Sequence, residues 1–197
     1  LDCSETQDQV AGLGRICETL ELDLTAVGAP EKVVDQTTES LGEIDILVNN
    51  AGVFIPGNIR DEEEGMLEKV MQVNLFAPYH LTRILLPAML RQKSGHIFNI
   101  SSIAALQAYP GGGAYSISKF ALDGFSKNLR HEMKPHGIKV TSVYPGATYT
   151  DSWASSGISP NRFMKADDIA KMIYAASQLS PQACVEDIIM RPQLGDL

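Results

Sequence analysis

Apolar runs alternate with amphipathic stretches along this chain, and the alternation predicts its elements. Glu21-Leu22-Asp23-Leu24-Thr25 reads as a short strand. Ile44 to Asn49, His96 to Ile100, Ile138 to Tyr144 and Val185 to Met190 read as further strands. Pro30 suits a first helical turn, and a helix can follow it to Leu41, with Gly42 as its stop. The acidic run Asp61-Glu62-Glu63-Glu64 suits the positive end of a helix that follows it. That helix, bent or broken, extends through Asn74 to about Gln92. Ala114 to Lys134 predicts a long amphipathic helix and Asp167 to Leu179 a shorter one, with a polar loop from Ala147 to about Met164 between the last two strands. Strands apolar on both faces, separated by helices, predict an α/β fold with a mostly parallel sheet covered by helices.

Composition narrows this picture. A chain of 197 residues with 44% hydrophobic content fits one domain with a sizeable core. No run reaches the roughly eighteen apolar residues of a membrane span, and Leu1 to Asp8 do not read as a signal peptide. A net charge of −8 argues against nucleic acid or an anionic membrane as partner. Cys3, Cys17 and Cys184 are too few and too scattered for a disulfide framework or a zinc site, and read as reduced thiols of a cytoplasmic protein. His80, His96, His131 and His136 lack metal-ligand spacing and read as surface or structural residues, so no metal is expected.

The candidate chemistry collects at the carboxyl ends of the predicted strands, where open α/β sheets bind ligands. Asp23, Asn49-Asn50, Ser101-Ser102 and Pro145-Gly146 occupy four such ends. Tyr115 and Lys119 follow on a helix, four residues apart and therefore on one face. An ammonium beside a phenol favours phenolate and lowers the tyrosine pKa from about 10, so the pair is suited to passing a proton near neutral pH. Tyr-x-x-x-Lys alone is more often an inert surface pair. The surrounding strand ends, and Ser102 thirteen residues before Tyr115, give it its meaning.

These residues resemble the short-chain dehydrogenase/reductase family in its single-domain form, from about Leu20 to the C-terminus. Asn49-Asn50-Ala51-Gly52 is similar to the family's turn after its fourth strand, and Asn74 to its helix asparagine. Ser102, Tyr115 and Lys119 match its catalytic serine, tyrosine and lysine, with Ser101 a rival for the serine on position but not on spacing. Pro145-Gly146 with Thr148 and Thr150 resembles the segment that embraces the nicotinamide, and Asp23-Leu24 the pair that contacts adenine. Tyr144 to Trp153 and the tail Val185 to Asp196 look like the bacterial sepiapterin-reductase-like branch.

The resemblance implies a doubly wound Rossmann sheet, NADP or NAD as cofactor with NADP favoured by the branch, and reversible hydride transfer between nicotinamide and a carbonyl or alcohol carbon. Asn74, Ser102, Tyr115 and Lys119 would be catalytic, with Lys119 depressing the Tyr115 pKa and Asn74 holding a water. Asp23, Leu24, Asn50, Ala51, Gly52, Tyr115, Lys119, Pro145, Gly146, Thr148 and Thr150 would bind cofactor. The substrate, a small carbonyl or alcohol compound, would lie under the loop from Ala147 to Met164. Trp153 and Tyr149 either line that site or pack the loop, and Gln107 and Tyr109 are near it. A homodimer or homotetramer is also implied.

One family feature is absent: no Thr-Gly-x-x-x-Gly-x-Gly loop occurs, and Gly111-Gly112-Gly113 does not link a strand to a phosphate-binding helix. The loop would hold a pyrophosphate at a helix N-terminus. In the order 3-2-1-4-5-6 the first two strands lie between the third and fourth, so the segment at Leu20 to Leu24 would lack a neighbour. Residues 1–197 are therefore expected to be one Rossmann-type domain that is N-terminally incomplete, with one more βαβ-sized piece before Leu1. A catalytically silent nucleotide-binding or regulatory protein on the same fold is the alternative, which the intact Ser102/Tyr115/Lys119 set disfavours. A sugar epimerase or dehydratase is disfavoured by the small C-terminal segment.

Overall fold

The computed structural model describes residues 3–150, 153 and 156–197. Among the described residues, four strands form a single sheet: β1 (Ile46–Asn49), β2 (Gly95–Ile100), β3 (Ile138–Pro145) and β4 (Asp187–Met190). They lie in that order and every pair is parallel. The central strands β2 and β3 are buried along nearly their whole length, as their continuous apolar runs require.

Helices cover both faces, as a doubly wound sheet demands. On one face Leu85 and Met89 of α4 (Ala77–Gln92) join Leu129 and Met133 of α5 (Gly113–Met133). They pack on Ile97, Ile138 and Val140, with Val34 of α2 (Ala29–Leu41) alongside. On the other face Phe98, Val143 and Ile188 meet Ala176, Ile169 and Ile173 of α6 (Ala166–Ser177). Adjacent residues Ile97 and Phe98 thus serve opposite cores, the period-2 consequence of a strand. Each fully buried side chain of this size contributes about 1.5–3 kcal/mol of transfer free energy.

The helix after the acidic run begins at Met66 and is interrupted. α3 (Met66–Met71) passes through a π-helical turn, Gln72–Phe76, into α4. Pro78 explains the break: it has no N–H to offer the Asn74 carbonyl four residues back, and its ring crowds that oxygen.

Two features depart from the sequence reading. The segment Glu21 to Thr25 is not a strand; residues 15–23 are irregular and a turn follows. β1 is the edge of the sheet, so among the described residues no strand pairs with this segment, and an unpaired extended strand has no ladder to hold it. Asp23 closes a local turn instead, its carboxylate accepting the Thr25 N–H at 2.8 Å and the Thr25 hydroxyl at 2.7 Å. Those bonds hold its carboxyl below the usual range. Conversely α1 (Ser4–Gly12) is a helix that no apolar periodicity announces, and it buries no side chain. Among the described residues, no helix is long and apolar enough to cross a membrane, and no group of three or more His, Cys, Asp or Glu could hold a metal ion.

Candidate active site

A cavity of about 880 Å³ opens at the carboxyl ends of β1, β2 and β3. Ser102 follows β2 in extended conformation, and its Oγ accepts the Ala104 N–H at 3.1 Å, capping the short turn Ile103–Ala105. Its Oγ also stands 3.5 Å from the Pro145 carbonyl oxygen. Ser101 is buried with its hydroxyl donated to the Lys119 carbonyl at 3.3 Å, whereas Ser102 lines the cavity beside Tyr115.

Tyr115 and Lys119 face the cavity from α5, one turn apart as their spacing requires. The electrostatics differ from the sequence expectation. Burial pushes the Tyr115 phenol above its usual pKa, and a hydrogen bond with Ser102 opposes this more weakly. Lys119 is 5% exposed, and burial drives its ammonium down to about 8. Its Nζ donates to the Ile100 carbonyl at 2.9 Å and stands 5.8 Å from the Tyr115 ring centroid. Desolvation is thus the largest influence on both groups, and Tyr115 stands above its ordinary value.

Asn74 is buried in the π-helical turn and does not line the cavity. Its side chain donates to the Val53 carbonyl at 3.0 Å and to Ser118 Oγ at 2.9 Å, and accepts the Val53 N–H at 2.8 Å. Ser118 in turn donates to the Tyr115 carbonyl at 2.7 Å. Asn74 thus ties the segment after β1 to the helix of Tyr115. Asn49 plays a similar part deeper in the fold, donating to Asn99 Oδ1 at 2.8 Å and to Thr82 Oγ1 at 3.2 Å.

Asn50, Gly52, Pro145, Gly146, Thr148 and Thr150 line the cavity with Ser102, Tyr115 and Lys119. Thr148 Oγ1 donates to the Gly146 carbonyl at 3.1 Å. At Gly146 an added Cβ would lie 3.1 Å from Pro192 Cδ, a tight fit against the segment after β4. Ala51 and Leu24 sit together in a separate small recess beside Asn50, and Asp23 is exposed outside both.

Gln107, Tyr109 and Trp153 line the cavity, whereas Tyr149 packs on Phe163 at 5.7 Å. Burial raises the Tyr109 phenol to about 12, with Tyr115 adding to the shift. Sequence reasoning missed Phe54, whose ring meets Tyr115 edge-on at 4.8 Å and stacks on Trp153 at 6.1 Å. It also missed Ile169, Ile173 and Tyr174 of α6 on the cavity wall. Only the third dimension brings these residues in; nothing in their local pattern marks them.

Residues 2–160 match the family model described as short chain dehydrogenase. The chain is 34% identical over 185 residues to a sepiapterin reductase of Chlorobaculum tepidum, covering 93% of this chain and 76% of that protein. It is 38% identical over 133 residues to dehydrogenase/reductase SDR family member 7B of Bos taurus, covering 68% of this chain and 41% of that one. A solved metagenomic short-chain oxidoreductase in complex with NADP superposes with a TM-score of 0.80 at 30% identity, over 96% of this chain and 80% of that one.

Proposed function

The chain belongs to the short-chain dehydrogenase family of oxidoreductases, and on that premise we propose that it carries the proton-transfer half of a reversible carbonyl reduction using NADP or NAD. The observation that carries the reading is the Ser102–Tyr115 hydroxyl pair on the cavity wall, with the buried Lys119 ammonium behind it.

The residues present fit the nicotinamide–ribose end of such a cofactor. An ammonium has three N–H groups, and Lys119 gives one to Ile100, leaving two for ribose hydroxyls among the described residues. Gly52 packs close to this group, since a Cβ there would stand 3.3 Å from Asn74 Oδ1 and 3.6 Å from Lys119 Nζ. Asn50, Thr148, Thr150 and the Pro145-Gly146 backbone supply the remaining polar wall. At the adenine end, Leu24 and Ala51 share the small recess, and Asp23 stands outside it. NADP is the first candidate because a solved relative holds it.

When bound, the nicotinamide supplies or accepts the hydride. This chain's own residues manage the proton. The raised pKa keeps Tyr115 protonated at neutral pH, so it arrives as a donor and gives its proton to the substrate oxygen as negative charge grows there. Ser102 donates its hydroxyl hydrogen to the same oxygen, stabilising that charge as an oxyanion donor does. Phe54, Tyr109 and Trp153 supply an aromatic wall to the cavity. A homodimer or homotetramer fits the exposed apolar residues of the helices that hold Asn74 and Tyr115, among them Phe76, Ile117 and Phe120.

The test is Tyr115→Phe, which keeps the ring and removes the proton. With a panel of aldehydes and ketones that includes sepiapterin, followed by nicotinamide absorbance, turnover should fall about 10³-fold. Unchanged turnover would refute the acid–base assignment.

A further inference from the structure

The acidic run Asp61 to Glu64 does not open its own helix. α3 starts after Gly65, and Glu62 turns instead to α5. Its Oε1 accepts the N–H of Ala114, the second residue of α5, at 2.8 Å. The residue before α5 is Gly112, which has no side chain with which to cap. Glu62 therefore brings in from a distant loop the acceptor that Ser or Asp would provide locally, with a negative charge facing the positive end of the helix.

Gly113 makes room for it. Its φ is +38°, and a Cβ there would collide with Glu62 Oε1 and lie 2.6 Å from the Gly57 carbonyl oxygen. The Gly57 N–H donates to the Gly111 carbonyl at 3.0 Å. The loop after β1 is thus fastened to the start of α5 at two points. That loop carries Phe54, whose ring lies against Tyr115, the residue after Ala114.

We propose that Glu62 is a positioning residue for Tyr115: its carboxylate caps the first turn of α5 and clasps the Phe54 loop, setting the phenol and the substrate-side wall together. The proposal rests on Tyr115 being the proton donor.

Glu62→Ala and Glu62→Gln test it. Hydrogen exchange at the Ala114 amide should accelerate about fivefold in Glu62→Ala, the scale of a lost cap. It should stay near wild type in Glu62→Gln, whose amide oxygen still accepts. In Glu62→Ala the KM for a carbonyl substrate should rise about fivefold while the KM for the nicotinamide cofactor stays put, and Gln should restore it. A merely destabilising change would lower the active fraction and leave KM alone. Either readout unmoved in Glu62→Ala overturns the proposal. A wild type that reduces no carbonyl compound, with Ala114 exchange still responding, strikes the activity and leaves the clasp standing.

Discussion

A buried ammonium beside a buried phenol gives the site a definite pH signature at the scale of single residues. Lys119 is driven down to about 8, so it is charged below that pH and neutral above it. Tyr115 is raised and keeps its proton throughout the neutral range. Carbonyl reduction needs the phenol protonated and the ammonium charged. The profile of kcat/KM, which reports the free enzyme, should therefore be level through neutral pH and fall about tenfold per unit on the alkaline side. The limb belongs to the coupled pair and should have an apparent pKa near 8. Lys119→Arg, whose guanidinium stays charged, should move whatever activity it retains beyond that limb. A wild-type profile level to about pH 10, the ordinary lysine range, would show that burial does not govern Lys119. Ordinary proximity of Lys to Tyr was legible in the sequence; the sign of the tyrosine shift was not, because spacing says which groups meet and burial says which charge state survives.

At the scale of elements, the π-helical turn between α3 and α4 does what a regular helix would not. It seats Asn74 so that one amide joins Val53 of the segment after β1 to Ser118 of α5. Replacing Asn74 with Ala would strand the Val53 N–H and carbonyl and remove a partner from the Ser118 hydroxyl, in surroundings where Asn74 is 1% exposed. A loss of about 2–4 kcal/mol is expected, measured as a lower urea midpoint at constant slope; a change below about 0.5 kcal/mol would mean that these bonds hold nothing together. The elements also show what a sequence discloses. α5, β2 and β3 emerge close to their predicted bounds because long periodic or continuous apolar patterns reflect burial directly. The segment at Asp23 failed as a strand because a strand is a property of two chains. Glu62 was misread because an acidic side chain before a helix signals a cap, while the helix that it caps lies 52 residues on.

Across the whole molecule, one buried histidine couples the sheet to acid. His96 sits on β2, is 5% exposed and stacks on Phe98 at 3.9 Å. Its Nε2 lies 2.7 Å from Thr141 Oγ1 on β3, and that hydroxyl already donates to the Val185 carbonyl at 2.6 Å. The threonine can then only accept, so the ring is the neutral tautomer with its proton on Nε2. Burial, aided by the Lys139 charge paired with it across the sheet, lowers the His96 pKa to about 4. The unfolded chain binds this proton from about pH 6.5, the folded chain only near 4. Within that window the unfolded state holds more protons, so stability falls as pH falls, by about 3 kcal/mol in all. Below the window both states are protonated and the loss stops growing. His96→Gln retains a donor for Thr141 and cannot charge. Denaturation curves at pH 7 and pH 4 should show the wild type losing about 3 kcal/mol more than the variant, which cancels the carboxylate contributions common to both. Equal losses would mean that His96 already takes a proton inside the fold.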